Sequence, residues 1–318
     1  MKTSNILAPF VLASSLPAFA GSQGDYLQPV IPAVDTRPGG FEDIRRPITN
    51  ATLFDLALPR TQIRPIFMHH RFPDQINVPG GEVDFGGDLN LFALQFEYAF
   101  NERFSFVAMK DGFIDFNPDN TDVFSQEEGF ANVGGGLKYA FIYDPANSFV
   151  ASASALFEFP IGSEDVFQGE GDGNAILTVQ AVKLWDRLQF AGGAGVQIPL
   201  DDAFSTQSFV SAHLSYEVNR YFIPLVEMNW FSVLEEGDGG TRFGAQAGGA
   251  VPAVAPGEGA DLINWGAGNS TDYVTLGLGF RSRLTDDISV GFAYEIPLSD
   301  EEDNITDDRF TFDATWTF

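Results

Sequence analysis

From Gln62 to Phe318 the chain repeats one pattern: a segment of about ten residues, polar and apolar side chains alternating, followed by a connection, and every second connection is long. The pattern predicts strands at Gln62 to Arg71, Asp88 to Phe100, Arg103 to Ile114, Gly129 to Ile142, Ser148 to Ile161, Ala175 to Leu184, Leu188 to Pro199, Gln207 to Glu217, Tyr221 to Leu234, Asp272 to Arg283, Ile288 to Pro297 and Arg309 to Phe318. The tight connections are Asn101-Glu102, Tyr143 to Asn147, Trp185 to Arg187, Val218 to Arg220 and Leu284 to Asp287. Between them lie Pro73 to Gly87, Asp115 to Glu128, Gly162 to Asn174, Leu200 to Thr206, Glu235 to Thr271 and Leu298 to Asp308. A β-sandwich has no reason to sort its loops this way. A transmembrane barrel does: it has short periplasmic turns, longer outer loops and an even strand count. The expected fold is all-β, a transmembrane antiparallel up-and-down β-barrel of about twelve strands over residues 61–318.

Within each segment the period is two, which separates a greasy face from a polar one. In the last segment Phe310, Phe312, Ala314, Trp316 and Phe318 alternate with Thr311, Asp313, Thr315 and Thr317. Phe92, Leu94, Phe96, Tyr98 and Phe100 oppose Gln95 and Glu97 in the same way. In a soluble sandwich the greasy face would be the core; in a membrane barrel it faces lipid. The abundance of Phe on that face favours lipid, as does the placing of Tyr139, Tyr143, Trp185, Tyr216, Tyr221, Trp230 and Trp316 near strand ends, where interfacial girdles sit. The polar face then lines the lumen with Glu97, Lys138, Glu158, His213, Glu217, Glu227, Asn229, Arg281, Glu295 and Asp313. Such charges either pair as a structural network or leave a wet path that selects a solute.

The first sixty residues read differently. Lys2, the apolar stretch Ile6 to Leu16 and the small-residue exit Ala18-Phe19-Ala20 have the form of a secretory signal peptide over residues 1–20. Residues 21–60 carry Pro29, Pro32, Pro38, Pro47 and Pro59, which argues against a strand. They also hold Arg37, Arg45, Arg46 and Arg60, out of only 17 basic residues in the chain. An arginine-bearing periplasmic extension beneath an acid-rich lumen would enter it as a plug, or would stay a disordered leader.

Charge and composition exclude several functions. The six long connections contain 25 of the 44 acidic residues and one basic residue, Arg242, so the acid gathers on one rim. That rim disfavours nucleic acid. It faces outer-membrane lipid and lipopolysaccharide, to which Asp300, Glu301, Glu302 and Asp303 are weak candidates for bridging through a divalent metal. The run lacks the spacing of an EF-hand loop, and a solvated acidic face is the simpler reading. With no cysteine in the chain, disulfides and Cys-based metal sites are excluded. No stretch reaches the ~20 apolar residues of a spanning helix. No catalytic residue is assigned: His213-Leu214-Ser215 has a His-x-Ser spacing known from an outer-membrane phospholipase, but His213 points to the polar, inward face. No cofactor is expected.

Four short motifs, Arg64-Pro65-Ile66-Phe67, Lys110-Asp111-Gly112-Phe113, Gly136-Leu137-Lys138-Tyr139 and Phe159-Pro160-Ile161-Gly162, occur in order. With them the chain resembles the outer-membrane barrels grouped with the phenol-degradation meta-pathway proteins, many of them described as transporters. The resemblance implies a passive channel or uptake pore for small solutes, aromatic or apolar ones among them. A terminal aromatic strand, Phe310, Phe312, Trp316 and Phe318, is similar to the signal read by the barrel-assembly machinery. The competing expectation is a non-conducting structural or adhesion barrel acting through its acidic loops.

Overall fold

A computed structural model describes residues 40–78, 81–122, 124–169, 171–201, 204–235, 272–302 and 305–318. The expected signal peptide, Arg37, Asp303 and nearly all of the 235–271 connection lie outside the described residues. The described residues form sixteen strands: β1 (Gln62–Arg71), β2 (Gln75–Val78), β3 (Gly81–Asp84), β4 (Gly87–Ala99), β5 (Phe104–Lys110), β6 (Phe113–Pro118), β7 (Glu127–Phe130), β8 (Val133–Asp144), β9 (Phe149–Phe159), β10 (Asn174–Trp185), β11 (Leu188–Pro199), β12 (Thr206–Tyr216), β13 (Ile223–Glu235), β14 (Asp272–Arg283), β15 (Ile288–Pro297) and β16 (Asp308–Thr317). No described helix is long and apolar enough to cross a membrane.

Fourteen of the strands form one antiparallel sheet, and β1 pairs with both β16 and β4, so the sheet closes on itself. β5 and β6 share one place in the wall, pairing with the two halves of β4, and β7 and β8 share the next. The ring therefore has the twelve positions that the loop pattern predicts. The break between β5 and β6 has a local cause. At Asp111-Gly112 the backbone turns through a positive φ of 137° at Gly112, and Asp111 Oδ1 accepts the Leu94 amide of β4 at 2.9 Å. A second departure from strict alternation is a bulge at Phe141, after which Phe141 and Ile142 both face outward. The separate β2–β3 hairpin lies in the first long connection, where the sequence reading placed no strand.

The outer face is the greasy one. Phe92, Leu94, Phe96, Tyr98, Phe312, Trp316 and Phe318 are exposed, while Gln95, Glu97, Thr311 and Asp313 are buried. This is the inverted arrangement of a membrane barrel. The interior is less uniformly polar than alternation alone suggests. At the long-loop end Phe72, Phe85, Phe116, Phe124 and Phe167 pack with Met68, Leu89, Leu91 and Ile114 into an apolar cluster. Several of these come from the connections, whose own hydrophobic residues fold inward over the barrel end.

The seam has one irregularity. In the β1–β16 register Ile63 faces Trp316 and Ile66 faces Asp313, with no pairing between them at Arg64 and Pro65. Proline has no N–H to give to the ladder. Side chains span the gap instead, with Arg64 Nη2 lying 2.6 Å from Asp313 Oδ2.

Candidate functional site

The candidate site is the lumen and the chain that occupies it. Residues 41–58 are almost all buried, although none of them belongs to a strand. Phe41, Ile44, Phe54, Leu56, Ala57 and Leu58 pack against Ala140, Val150, Val182 and Ala191 of the wall. Leu53 joins a second cluster, with Val107, Met109, Ile176, Phe209, Phe231 and Tyr273. The segment thus sits inside the ring and meets the wall through both apolar and polar contacts.

The polar contacts fall into three groups. In the first, the Glu227 carboxylate of β13 accepts the Ile48 amide at 2.9 Å, the Thr49 amide at 2.7 Å, the Thr49 hydroxyl at 2.6 Å and lies 2.6 Å from His213 Nδ1. Beside it Asn229 Nδ2 donates to Thr49 Oγ1 at 3.0 Å and to Glu295 Oε1 at 3.0 Å. In the second, Lys138 Nζ lies 2.7 Å from Asp55 Oδ2, 2.8 Å from Glu97 Oε1 and 2.8 Å from the Leu56 carbonyl. Asp55 also pairs with Arg46. In the third, Asp313 holds Arg64 and, at 3.0 Å, Arg281; Arg64 Nη2 donates to the carbonyls of Pro47 and Ile48 at 3.1 and 3.2 Å. Nearer the long loops Lys110 meets Glu158 at 2.7 Å. In a low-dielectric interior such charges are tolerable only when paired, and here each has a partner of opposite charge or several hydrogen bonds.

Three wall glycines make room for the segment. A Cβ on Gly277 would lie 2.7 Å from Thr49 Cγ2, one on Gly193 2.9 Å from Phe54 Cδ2, and one on Gly291 2.7 Å from Ile48 Cδ1. Glycine inside a strand weakens it and commonly marks a close approach. Here the approaching atoms belong to residues 49 and 54, and at Gly291 to residue 48 together with the wall's own Asp313.

All ten lumen candidates face inward: Glu97, Lys138, Glu158, His213, Glu227, Asn229, Arg281, Glu295 and Asp313 are buried, and Glu217 is partly so. Arg45, Arg46 and Arg60 lie with the segment, Arg45 Nε donating to Ser215 Oγ at 3.0 Å and Arg60 donating to the carbonyls of Phe41 and Ile44. The interior is not acid-rich, however, because Arg64, Lys110 and Arg309 are buried there with the other cations. Period two would have placed Arg64 and Gln95 inward, in phase with Gln62 and Glu97. Asp55 lies in a segment without a period, so no sequence signal marks it.

His213 Nε2 is 2.9 Å from Ser215 Oγ, and Glu227 lies behind the ring, a Ser–His–Glu chain in outline. Ser215 is buried and its hydroxyl already receives Arg45, which leaves no approach for a substrate. Among the described residues no group of three or more His, Asp or Glu side chains could hold a metal ion. Of the acidic run expected to bridge a divalent cation, Asp300, Glu301 and Glu302 are described and Asp303 lies outside the described residues.

No family model matches the chain, and no curated protein matches it. Solved structures do. An outer-membrane channel from Pseudomonas putida aligns with a TM-score of 0.56 and 11% identity, covering 82% of this chain and 96% of that one. NanC porin aligns with a TM-score of 0.49 and 8% identity, covering 81% of this chain and all of that one, 100%. The resemblance to the phenol-degradation group thus finds no matching family model, and the first of these similarities shows the fold: a closed β-barrel of the bacterial outer-membrane kind.

Proposed function

We propose that the protein is an outer-membrane channel for small solutes that is closed at rest by its own residues 40–60. The observation that carries this reading is the way the segment is held. Its main-chain amides and carbonyls are bound by wall side chains that carry charge, Glu227 and Arg64 above all. A barrel that is only structural has no need of buried ions, whose desolvation is costly and which well-packed apolar residues replace without loss. A segment seated by hydrogen bonds can leave and expose a wall already lined with polar groups. Towards the long loops the lining turns apolar and aromatic, with Met109, Ile176, Phe209 and Phe231. That surface suits the aromatic or apolar solutes implied by the resemblance to the phenol-degradation group.

The test is single-channel recording on the full mature chain and on a chain lacking Gly21 to Thr61. The expected result is a largely silent full-length protein and steady ohmic current from the deleted one. Unchanged conductance would remove the plug from the account. Silence of both, in barrels that migrate as folded, would favour a non-conducting barrel instead.

A further inference from the structure

Over residues 47–49 the wall side chains bind peptide main chain. Glu227 accepts the amides of Ile48 and Thr49, and Arg64 Nη2 donates to the carbonyls of Pro47 and Ile48. The Thr49 hydroxyl donates to Glu227 at 2.6 Å and accepts from Asn229 Nδ2 at 3.0 Å. The Ile48 side chain is buried against Leu225 and Ala293. Glycines open the wall at the same place: Gly277 stands opposite Glu227 in the β13–β14 register, and Gly291 opposite both Arg281 and Asp313. A Cβ on Gly277 would lie 2.7 Å from Thr49, and one on Gly291 would lie 2.7 Å from Ile48.

Each of these polar groups is also held by the wall itself. His213 Nδ1 lies 2.6 Å from Glu227 Oε1, and Asn229 Nδ2 donates to Glu295 Oε1 at 3.0 Å. Arg64 Nε donates to Asp313 Oδ2 at 2.7 Å, and Arg64 Nη1 to Gln95 Oε1 at 3.2 Å. A wall from which the segment has gone thus keeps an acceptor for N–H groups, a donor for carbonyls and an apolar recess for a branched side chain. In peptide recognition main-chain hydrogen bonds supply affinity and a side-chain pocket supplies specificity. Groups already fixed in place lose little freedom when a ligand arrives.

We propose that this recess is a binding site for short peptides and related amides, and that residues 47–49 occupy it as an internal stand-in for the solute. The inference rests on the reading that the segment leaves the lumen, and adds to it a solute class: a small apolar body that carries amide groups. Ligand and segment claim the same atoms of Glu227 and Arg64 and so exclude each other. The ligand therefore favours the released state by mass action.

The experiment uses the full chain. Thr49→Asp sets a second carboxylate against Glu227, and Ile48→Pro removes one amide and the side chain that fills the recess; both leave the wall residues unaltered. Hydrogen exchange over residues 41–60 reports release, and heat-modifiable migration reports folding; if one variant fails to fold, the other decides. The probe is acetyl-Pro-Ile-Thr-amide, followed by calorimetry in detergent, beside an analogue methylated at the Ile and Thr nitrogens. Saturable binding of the probe to the released variants is expected. It should weaken about tenfold on methylation and about tenfold when Glu227→Gln is added, the size of one lost charge-assisted hydrogen bond. Released barrels that bind neither peptide overturn the inference and leave the plug in place, and equal binding of the two peptides overturns it as well. A segment that stays protected in both variants does not leave, and the inference then falls with the reading it rests on. Probe binding by barrels that prove silent in single-channel recording removes the channel and keeps the site.

Discussion

Replacing Glu227 by Gln should unseat the segment without unfolding the barrel. The carboxylate accepts the Ile48 amide, the Thr49 amide and the Thr49 hydroxyl, and also meets His213. Glutamine keeps the shape but has one acceptor oxygen, so an NH2 group must face either the two Thr49 donors at Oε2 or the His213 contact at Oε1. Each charge-assisted hydrogen bond contributes about 1.5–3 kcal/mol, and confronting donor with donor adds the cost of a buried unsatisfied group. A total near 3 kcal/mol lowers the seated-to-released ratio by about 150-fold. Hydrogen exchange read by mass spectrometry on peptides within residues 41–60 measures that ratio through their protection. The expected outcome is a loss of protection of about two orders of magnitude there, with the wall strands unchanged and channel openings more frequent. Protection within about threefold of the wild type, in a barrel that migrates as folded, would refute the claim that Glu227 anchors the segment.

Gly277→Val places carbon against Thr49 Cγ2, which already lies 2.7 Å from the Cβ position; overpacking of about 1–3 kcal/mol should release the segment and raise conductance. Asp313→Asn leaves Arg64 and Arg281 facing each other without a counter-charge, and should cost about 3–5 kcal/mol, read as a fall in the temperature of heat-modifiable migration. In the last long connection Asp307 is held above the usual carboxylate range by burial and then by Asp308, and Glu301 by burial and then by Asp307. The folded loop therefore binds protons more tightly than the unfolded chain, and its stability falls as pH rises from about 4, the ordinary carboxylate value, through the raised native ones. The Asp307 amide, which donates to Arg71 O at 2.9 Å, should gain protection as pH is lowered from neutral, after correction for intrinsic exchange. Protection that falls or stays constant would contradict the sign.

What was legible in the sequence followed from period and loop length. Gln95 and Glu97 alternate with Leu94 and Phe96, and that alone puts them in the lumen. The ends of β1, β11, β14 and β15 coincide with those the same rule predicts. The rule fails where a local device replaces it. Asp111 substitutes a side-chain acceptor for a ladder carbonyl and so breaks one long segment into β5 and β6. The bulge at Phe141 sends two successive side chains outward. The apolar cluster around Phe85 and Phe124 depends on connections folding back over the barrel end, a tertiary event that no periodicity encodes. Arg45, Arg46 and Arg60 could be suspected as lumen residues because cations are scarce in the chain. Their partners could not, since Ser215 and Glu217 are far from Arg45 in sequence and Asp55, the partner of Arg46, lies among residues with no repeating pattern. The glycines were visible as composition, but their use became clear only when Thr49 and Phe54 were placed against Gly277 and Gly193.

The β1–β16 seam carries a last consequence, for the order in which the molecule is made. Pro65 leaves the ladder incomplete at the position where first and last wall strands meet, and the pair Arg64–Asp313 bridges it. The same Arg64 guanidinium binds the carbonyls of Pro47 and Ile48. β1 begins immediately after the seated segment in the chain, so closing the cylinder and filling it draw on one side chain. The two events are therefore coupled without being inseparable: a cylinder closed around an absent segment lacks two of the acceptors that orient Arg64 at the join.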